Sequence, residues 1–379
     1  MNEDALKLTS YFGERQRTAD NGFAADALLD LYGRHAIATS ILLRGVEGFG
    51  VRQHLRTDRS LTMSDDLPLI AVAVDTRPRI EGLLESTSGL LRSGLVTLER
   101  ARLLTGDIES PRPGQGPDDE TKLTVYLGRQ ERVYRVPAFV AVCDLLHRRG
   151  IAGATALLGV DGTAHGQRER AAFFSRNAGT PMMIIAVGSG SRIAQVLPEL
   201  GGLLRRPLLT LERVRICKRD GALLARPPSE SPAPPPGDAA QLPSAHPPPA
   251  QVPPTQMPLA LALALKLMVY TSEAALHDGR PIHRAIVRRL RAAGISGATT
   301  QRGMWGFHGD HPPHGDRLLQ LGRHVPAVTI VIDTPERIAT AFDLIDDLTA
   351  EHGLVTCETV PASRPVGGGR AATGLPATG

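Results

Sequence analysis

Residues 121–130 read TKLTVYLGRQ. The stretch alternates, with Lys122, Thr124 and Tyr126 on one side of an extended chain and Leu123, Val125 and Leu127 on the other. That period of two is the pattern of a strand with one apolar face. The pattern starts twice more, as ALKLTSYFGE at 5–14 and LKLMVYTSEA at 265–274. A Lys holds the same place in each (Lys7, Lys122, Lys266), and a Tyr follows four residues on (Tyr11, Tyr126, Tyr270). The chain has only four lysines and five tyrosines, so three of each recur in register.

The repetition extends well beyond this strand. Downstream of each Lys come IATSILLRG (37–45), IAGATALLG (151–159) and ISGATTQRG (295–303). Next come PLIAVAVD (68–75), PMMIIAVG (181–188) and PAVTIVID (326–333), each followed by an Arg-Ile pair at Arg79, Arg192 or Arg337. Each copy closes with GLVTLE (94–99), PLLTLE (207–212) or GLVTCE (353–358). Anchors at nearly constant spacing mean three copies of one unit. The expected limits are copy 1 at 1–104, an acidic linker at 105–120, copy 2 at 121–218, a Pro-rich linker at 219–258, copy 3 at 259–361 and a disordered tail at 362–379. The second linker is dense in Pro and reads as an extended, semi-rigid spacer.

Within a copy the order is readable. An alternating strand leads to a helix (FAADALLDLYGRHA, PAFVAVCDLLHRRG or PIHRAIVRRLRAAG), with Pro137 and Pro281 suited to a first helical turn. A strand ending at Arg-Gly, a loop and a second apolar strand follow. A second helix carries Ile80, Leu83, Leu84 and Leu91, matched by Ile193, Val196, Leu197 and Leu204. A short strand ends the unit. The expected class is α+β: three tandem ferredoxin-like βαββαβ domains, packed as an intramolecular pseudo-threefold trimer. Helices on one face leave the other face of each sheet open, and it must be buried or polar. The polar row on that face is Lys7, Tyr11 and Glu99, then Lys122, Tyr126 and Glu212, then Lys266, Tyr270 and Glu358. It reads either as packing between the three sheets or as a ligand surface, with a Lys–Glu cross-strand pair expected in each copy.

Composition narrows the function classes. A formal charge of +4 over 379 residues, with no polybasic tract, gives no indication of nucleic-acid binding. The densest basic segment, HRAIVRRLRAAG, reads as the solvated face of an amphipathic helix. Three cysteines without metal-type spacing fit a reducing compartment. No signal peptide is visible, and LALALALKL is too short to span a bilayer and alternates like a strand. The expectation is a cytoplasmic protein without direct membrane insertion.

The combination LRGVEGFG (43–50), LTMSDDLP (61–68), IAVAVDTRPRI (70–80) and GLVTLERARLL (94–104) resembles the PII-like signalling proteins of domain-of-unknown-function family 190. Copy 3 resembles it through GISGATTQRGMWGF, VIDTPERI and GLVTCETV; copy 2 keeps GIAGATALLGV and LLTLERVRI but has Leu158 in place of the loop Arg. The resemblance implies a ferredoxin-like fold, threefold assembly and regulation without catalysis. It further implies a small effector, often an adenine nucleotide, bound between neighbouring copies and reported by the loop after the second strand. Association of such proteins with fluoride-exporting channels suggests a membrane channel or transporter as the regulated target. The Gly-rich phosphate turn of the PII proteins is absent. DTRPR and DTPER stand at its place in copies 1 and 3 and read as helix caps, and only GSGSR of copy 2 could cradle an anion.

The loop after the second strand supplies the candidate effector residues: Arg44, Gly45, Gly48 and Phe49 in copy 1, and Arg302, Gly303, Gly306 and Phe307 in copy 3. An Arg fork suits phosphate or carboxylate, and Phe could stack on a base or plug the core. In copy 3 the loop runs on through RGMWGFHGDHPPHGD (302–316), where His308, His311 and His314 have ligand chemistry for Zn, although Pro312 and Pro313 bar helical ligand spacing. Three readings follow: a sensor of a small anionic effector, needing no cofactor; a metal-binding regulator using those histidines; and a structural adaptor. No nucleophile–base set recurs across the copies, so an enzyme is not indicated.

Overall fold

A computed structural model describes residues 2–58, 66–106, 108, 120–164, 167–168, 180–229, 261–308, 313–315, 325–351 and 353–364. Most of the acidic linker, nearly all of the Pro-rich linker beyond Pro228, the tail after Arg364, and His311 lie outside them. The protein is α+β, with one large antiparallel sheet system and helices repeated in three segments. Among the described residues no helix is long and apolar enough to cross a membrane.

Each copy builds the same four-stranded unit. In copy 1 the first strand, Asn2–Gly13, lies between Pro68–Thr76 and Leu95–Thr105, and Thr39–Arg44 pairs on the far side of Pro68–Thr76. Copy 2 repeats this with Glu120–Gly128 between Pro181–Ser189 and Leu208–Arg213, and with Gly153–Leu158 outermost. Copy 3 repeats it with Ala262–Ser272 between Pro326–Asp333 and Leu354–Ser363, and with Ala298–Arg302 outermost.

Helices cover one face of each unit. Ala24–Arg34 and its counterparts Ala138–Arg148 and Ile282–Ala292 follow the first strands. Gly190–Leu203 and Pro335–Leu344 follow the third. Three corrections to the sequence reading arise here. Pro137 and Pro281 are not in the first helical turn but cap it, each closing the short hairpin that precedes the helix. The second helix of copy 1 is split into Arg77–Glu81 and Leu84–Leu90, a break at Gly82–Leu83 where glycine weakens the helix. The basic helix Ile282–Ala292 does not present a solvated face throughout. Arg284 is buried against Asp58 of copy 1 at 3.3 Å, and Arg291 donates to the Gln53 carbonyl of copy 1 at 2.6 Å.

Four apolar cores result. Three lie one under each pair of helices, and those of copies 2 and 3 also take in side chains from neighbouring copies. The fourth joins the opposite faces of all three sheets, bringing Ile70 and Val72 against Tyr126, Met183 and Ile185 and against Met268, Tyr270, Val328 and Ile330. Burial of this second face is the hydrophobic term that a single copy could not obtain alone.

The copies also exchange strands in a closed cycle. The distal half of the last strand of copy 1 pairs with the last strand of copy 2 (Thr105 opposite Leu208). Arg215–Arg219 of copy 2 pairs with the last strand of copy 3, and Ala362–Ser363 of copy 3 returns to Thr97 and Val96 of copy 1. The loop strands run the other way round. Glu47–Phe49 of copy 1 pairs with copy 3, Trp305–His308 of copy 3 with copy 2, and Asp161–Ala164 of copy 2 with copy 1.

Candidate functional site

The polar row meets where the three sheets face one another. The strand register sets Lys7 opposite Glu99, Lys122 opposite Glu212 and Lys266 opposite Glu358. Each lysine also reaches the glutamate of the next copy. Lys7 Nζ lies 2.5 Å from both Glu99 and Glu212 Oε2. Lys122 Nζ is 3.0 Å from Glu212 and 2.5 Å from Glu358. Lys266 Nζ is 3.3 Å from Glu358 and 3.0 Å from Glu99. Three ammonium groups and three carboxylates therefore close a buried, charge-balanced ring that passes through every copy.

Burial alone would disfavour the charges of Lys122, Glu99 and Glu358, and their partners overcome it. Burial would hold the Lys122 ammonium pKa down, but Glu212, Glu358 and Glu99 raise it well above the usual lysine value. Burial would raise Glu99, yet Lys266, Lys7 and Lys122 hold it well below the carboxylate range. Glu358 is lowered in the same way, chiefly by Lys122 and Lys266 against burial. The three tyrosines line the ring. Burial pushes Tyr126 up to about 12 and Tyr11 and Tyr270 well above the ordinary phenol value. The Tyr11 and Tyr126 hydroxyls face Thr97 and Thr210 on the last strands of their own copies, whose side chains work against the burial effect. The three carboxylates come within 4.8 Å of one another, as in a metal site, but the interposed ammonium groups already supply the positive charge a cation would bring.

The loop residues divide by role. Phe49 is buried in the helix-side core of copy 3, and Phe307 in that of copy 2, where His147 meets it edge-on at 5.0 Å. Both rings fill a neighbour's core and neither offers an open face to a base. The second loop glycine lets the backbones approach: a Cβ on Gly48 would lie 2.6 Å from the Ala298 carbonyl oxygen, and on Gly306 2.2 Å from that of Ala154. Gly45 and Gly303 approach the strand they cross less tightly, their added Cβ meeting Thr300 O at 3.0 Å and Thr155 Cγ2 at 2.9 Å.

The arginines stay near solvent at the seams. Arg44 Nη2 lies 2.8 Å from Glu14 within copy 1. Arg302 Nη2 lies 2.7 Å from Glu273 of its own copy and 3.4 Å from Asp58 of copy 1. Sequence reading missed Glu14 and Glu273, although the copies carry the signal. Both stand seven residues after the strand lysine, and copy 2 has Arg129 there, just where Leu158 replaces the loop Arg. The pair changes together. The other recurrent arginines are occupied by the fold: Arg79, Arg192 and Arg337 donate to carbonyls at the end of the first helix of their own copies (His35 and Ala36, Gly150, Gly294). Ser189 of GSGSR accepts from the Arg192 amide and caps its helix, as Thr334 does in copy 3.

The seams are not equivalent. Between copies 1 and 3, charged residues meet: Glu47 and Asp58 against Arg284 and Arg302. Between copies 3 and 2 the contact is aromatic, with Trp305 edge-on to Phe139 at 6.4 Å. Between copies 2 and 1, Thr163 replaces the Phe, and its hydroxyl lies 2.8 Å from that of Ser40. His308 and His314 sit on adjacent short strands of the copy 3 loop with ring centres 6.4 Å apart.

Comparison with known proteins gives the family. A family model for DUF190, described as uncharacterized ACR, matches residues 5–103, 120–216 and 264–362. A UPF0166 protein of Aquifex aeolicus (strain VF5) is 30% identical over 95 residues, which is 25% of this chain and 88% of the relative. Among solved structures, aspartate kinase from Synechocystis aligns at 11% identity with a TM-score of 0.24, covering 96% of this chain and 45% of the kinase. With most of its length matched by three successive copies of one family model, the chain belongs to the DUF190 family.

Proposed function

We propose that the chain is a non-enzymatic PII-like regulator, in which three ferredoxin-like units form a pseudo-threefold trimer within one polypeptide. A small anionic effector binds at the Arg-bearing seams, and the loop strands pass its presence to a partner. The carrying observation is Arg302, whose guanidinium joins Glu273 of copy 3 to Asp58 of copy 1. An anion that takes this fork from the carboxylates alters a contact between copies. Arg44 and Glu14 form the corresponding pair in copy 1, and Leu158 leaves copy 2 without one. Two competent sites are therefore expected.

An adenine nucleotide is the first effector to try, and a membrane channel or transporter the first class of regulated target, in a cytoplasmic setting. Zn at the copy 3 loop is a second reading, favoured by the adjacent His308 and His314 rings. A structural adaptor with no ligand is the third.

A thermal-shift panel of ATP, ADP, AMP, cyclic AMP and Zn, with and without chelator, separates these readings. A ligand at a hundredfold excess over its dissociation constant stabilises by about 2.7 kcal/mol, a readily visible shift. A nucleotide shift in the wild type that is lost in Arg44→Ala/Arg302→Ala supports the sensor. A nucleotide shift that persists in that variant contradicts the site. A shift with Zn alone moves the function to the histidines, and no shift at all favours the adaptor.

A further inference from the structure

The hairpin between the first strand and first helix of copy 2 is built against the local rules that its counterpart in copy 3 obeys. In copy 3 the hairpin pairs Leu276 with Pro281 and His277 with Arg280, and its two-residue tip is Asp278-Gly279 with φ of 49° and 71°. That is the residue pair a tight hairpin with two positive φ angles favours. Copy 2 keeps the register, with Arg132 opposite Pro137 and Val133 opposite Val136, but its tip is Tyr134-Arg135 at φ of 54° and 130°. Neither residue is favoured there, and an Arg at φ 130° occupies a region that suits glycine. Arg132 Nη1 donates to the Arg135 carbonyl at 2.9 Å and braces the tip.

The strain presents a specific set of side chains. Tyr134 is 93% exposed, and Val136 beside it is exposed too. Arg129, Arg132 and Arg135 are exposed around them, and Glu131, the acidic residue among them, accepts from the Gly128 amide. Arg129 is the residue that replaces the seam glutamate of the other copies, so copy 2 lacks the Arg–Glu pair and carries this basic projection instead. An aromatic ring flanked by arginines has the composition of an interaction hot spot, and backbone strain that the fold maintains is characteristic of sites kept for function.

We propose that the Tyr134-Arg135 hairpin is a docking epitope for an acidic protein segment, with Tyr134 and Val136 entering an apolar notch and Arg129, Arg132 and Arg135 facing carboxylates. This does not depend on effector binding at Arg44 and Arg302, and its test leaves those residues untouched.

The test is selection of a random dodecapeptide phage library on the full-length chain, followed by binding of the enriched peptides to wild type and to Tyr134→Asn/Arg135→Gly. The variant installs a favoured turn, so it folds at least as well and raises Tm, by about 2 °C. Enriched peptides should be acidic with an aliphatic or aromatic residue, and should bind the variant at least tenfold more weakly. Their binding should weaken as salt rises. Failure to enrich, enrichment without acidic residues, or equal binding to the variant overturns the proposal. Binding to phosphatidylserine vesicles that the variant loses, without peptide enrichment, would assign the hairpin to a membrane surface and overturn it as well.

Discussion

Lys122 of the second copy and Glu358 of the third lie 236 positions apart in sequence and 2.5 Å apart in space. The same step, lysine to the glutamate of the next copy, is taken from Lys7 to Glu212 and from Lys266 to Glu99. None of these three lysines can be removed without breaking a contact inside a copy and one between copies.

Lys122→Met should therefore destabilise the chain by about 3–5 kcal/mol, because two buried carboxylates lose compensation together. Urea unfolding read by circular dichroism measures this. A loss below about 1 kcal/mol, the usual scale of exposed pairs, would mean that the ring is hydrated in solution.

The same ring sets the pH limits. Glu99 and Glu358 are held below their unfolded values, so the stability they contribute is present above the unfolded carboxylate range and lost as pH falls through their lowered folded pKa values. Lys122 is raised, so its contribution is complete below the unfolded lysine value and disappears as pH rises through the higher folded one. Stability should be flat across neutral pH with respect to these groups and should fall on the acid side only below about pH 4. Thermal melts from acid to neutral pH check the acid limb.

Phe307 belongs to copy 3 by sequence and to the core of copy 2 by packing. Phe307→Ala should cost about 3–5 kcal/mol. Hydrogen exchange should show the loss of protection at the copy 2 helix Ala138–Arg148 rather than at Ile282–Ala292. The reverse pattern would mean that the loop strand is not seated where the structure places it.

Gly48→Ala would push a methyl group to 2.6 Å from the Ala298 carbonyl oxygen. Loss of the pairing between Glu47–Phe49 and Ala298–Thr300 is expected, with a cost of about 1–3 kcal/mol, the usual range for overpacking. Faster exchange at Ala298–Arg302 with unchanged exchange at Gly153–Leu158 would locate the effect at one seam.

Cys143 and Cys357 are buried thiols, with Cys357 pushed up chiefly by its hydrogen bond with Cys217 and then by burial, and Cys143 by burial. Neither should react with an aromatic disulfide reagent until the chain unfolds. Fast labelling of either in native buffer would show that its core opens readily.

Much of the repeat architecture was legible because the chain carries its own replicates. Alternation around Lys7, Lys122 and Lys266 placed a polar row on one sheet face, and the expected βαββαβ order, in which first and last strands are neighbours, set Glu99, Glu212 and Glu358 beside it. What the pattern within a copy could not carry was the exchange between copies. Nothing local marks Phe49 as a core residue of copy 3, because its burial is created by a strand about 250 residues away. Arg284 misled for the same reason: its helix is amphipathic, but a neighbouring copy covers the polar side. Glu14 and Glu273 could have been found by comparing the copies, since Arg129 and Leu158 change together in the second. The strained tip at Tyr134-Arg135 needed backbone angles that residue types alone do not give.

The closed ring is tested most directly by the mass of the purified chain in dilute solution. Light scattering coupled to size exclusion should return a value near 40.4 kDa, because Lys7, Lys122 and Lys266 find Glu212, Glu358 and Glu99 within one polypeptide. A multiple of that mass that persists on dilution would mean that the ring forms between chains and would contradict the single-chain assembly.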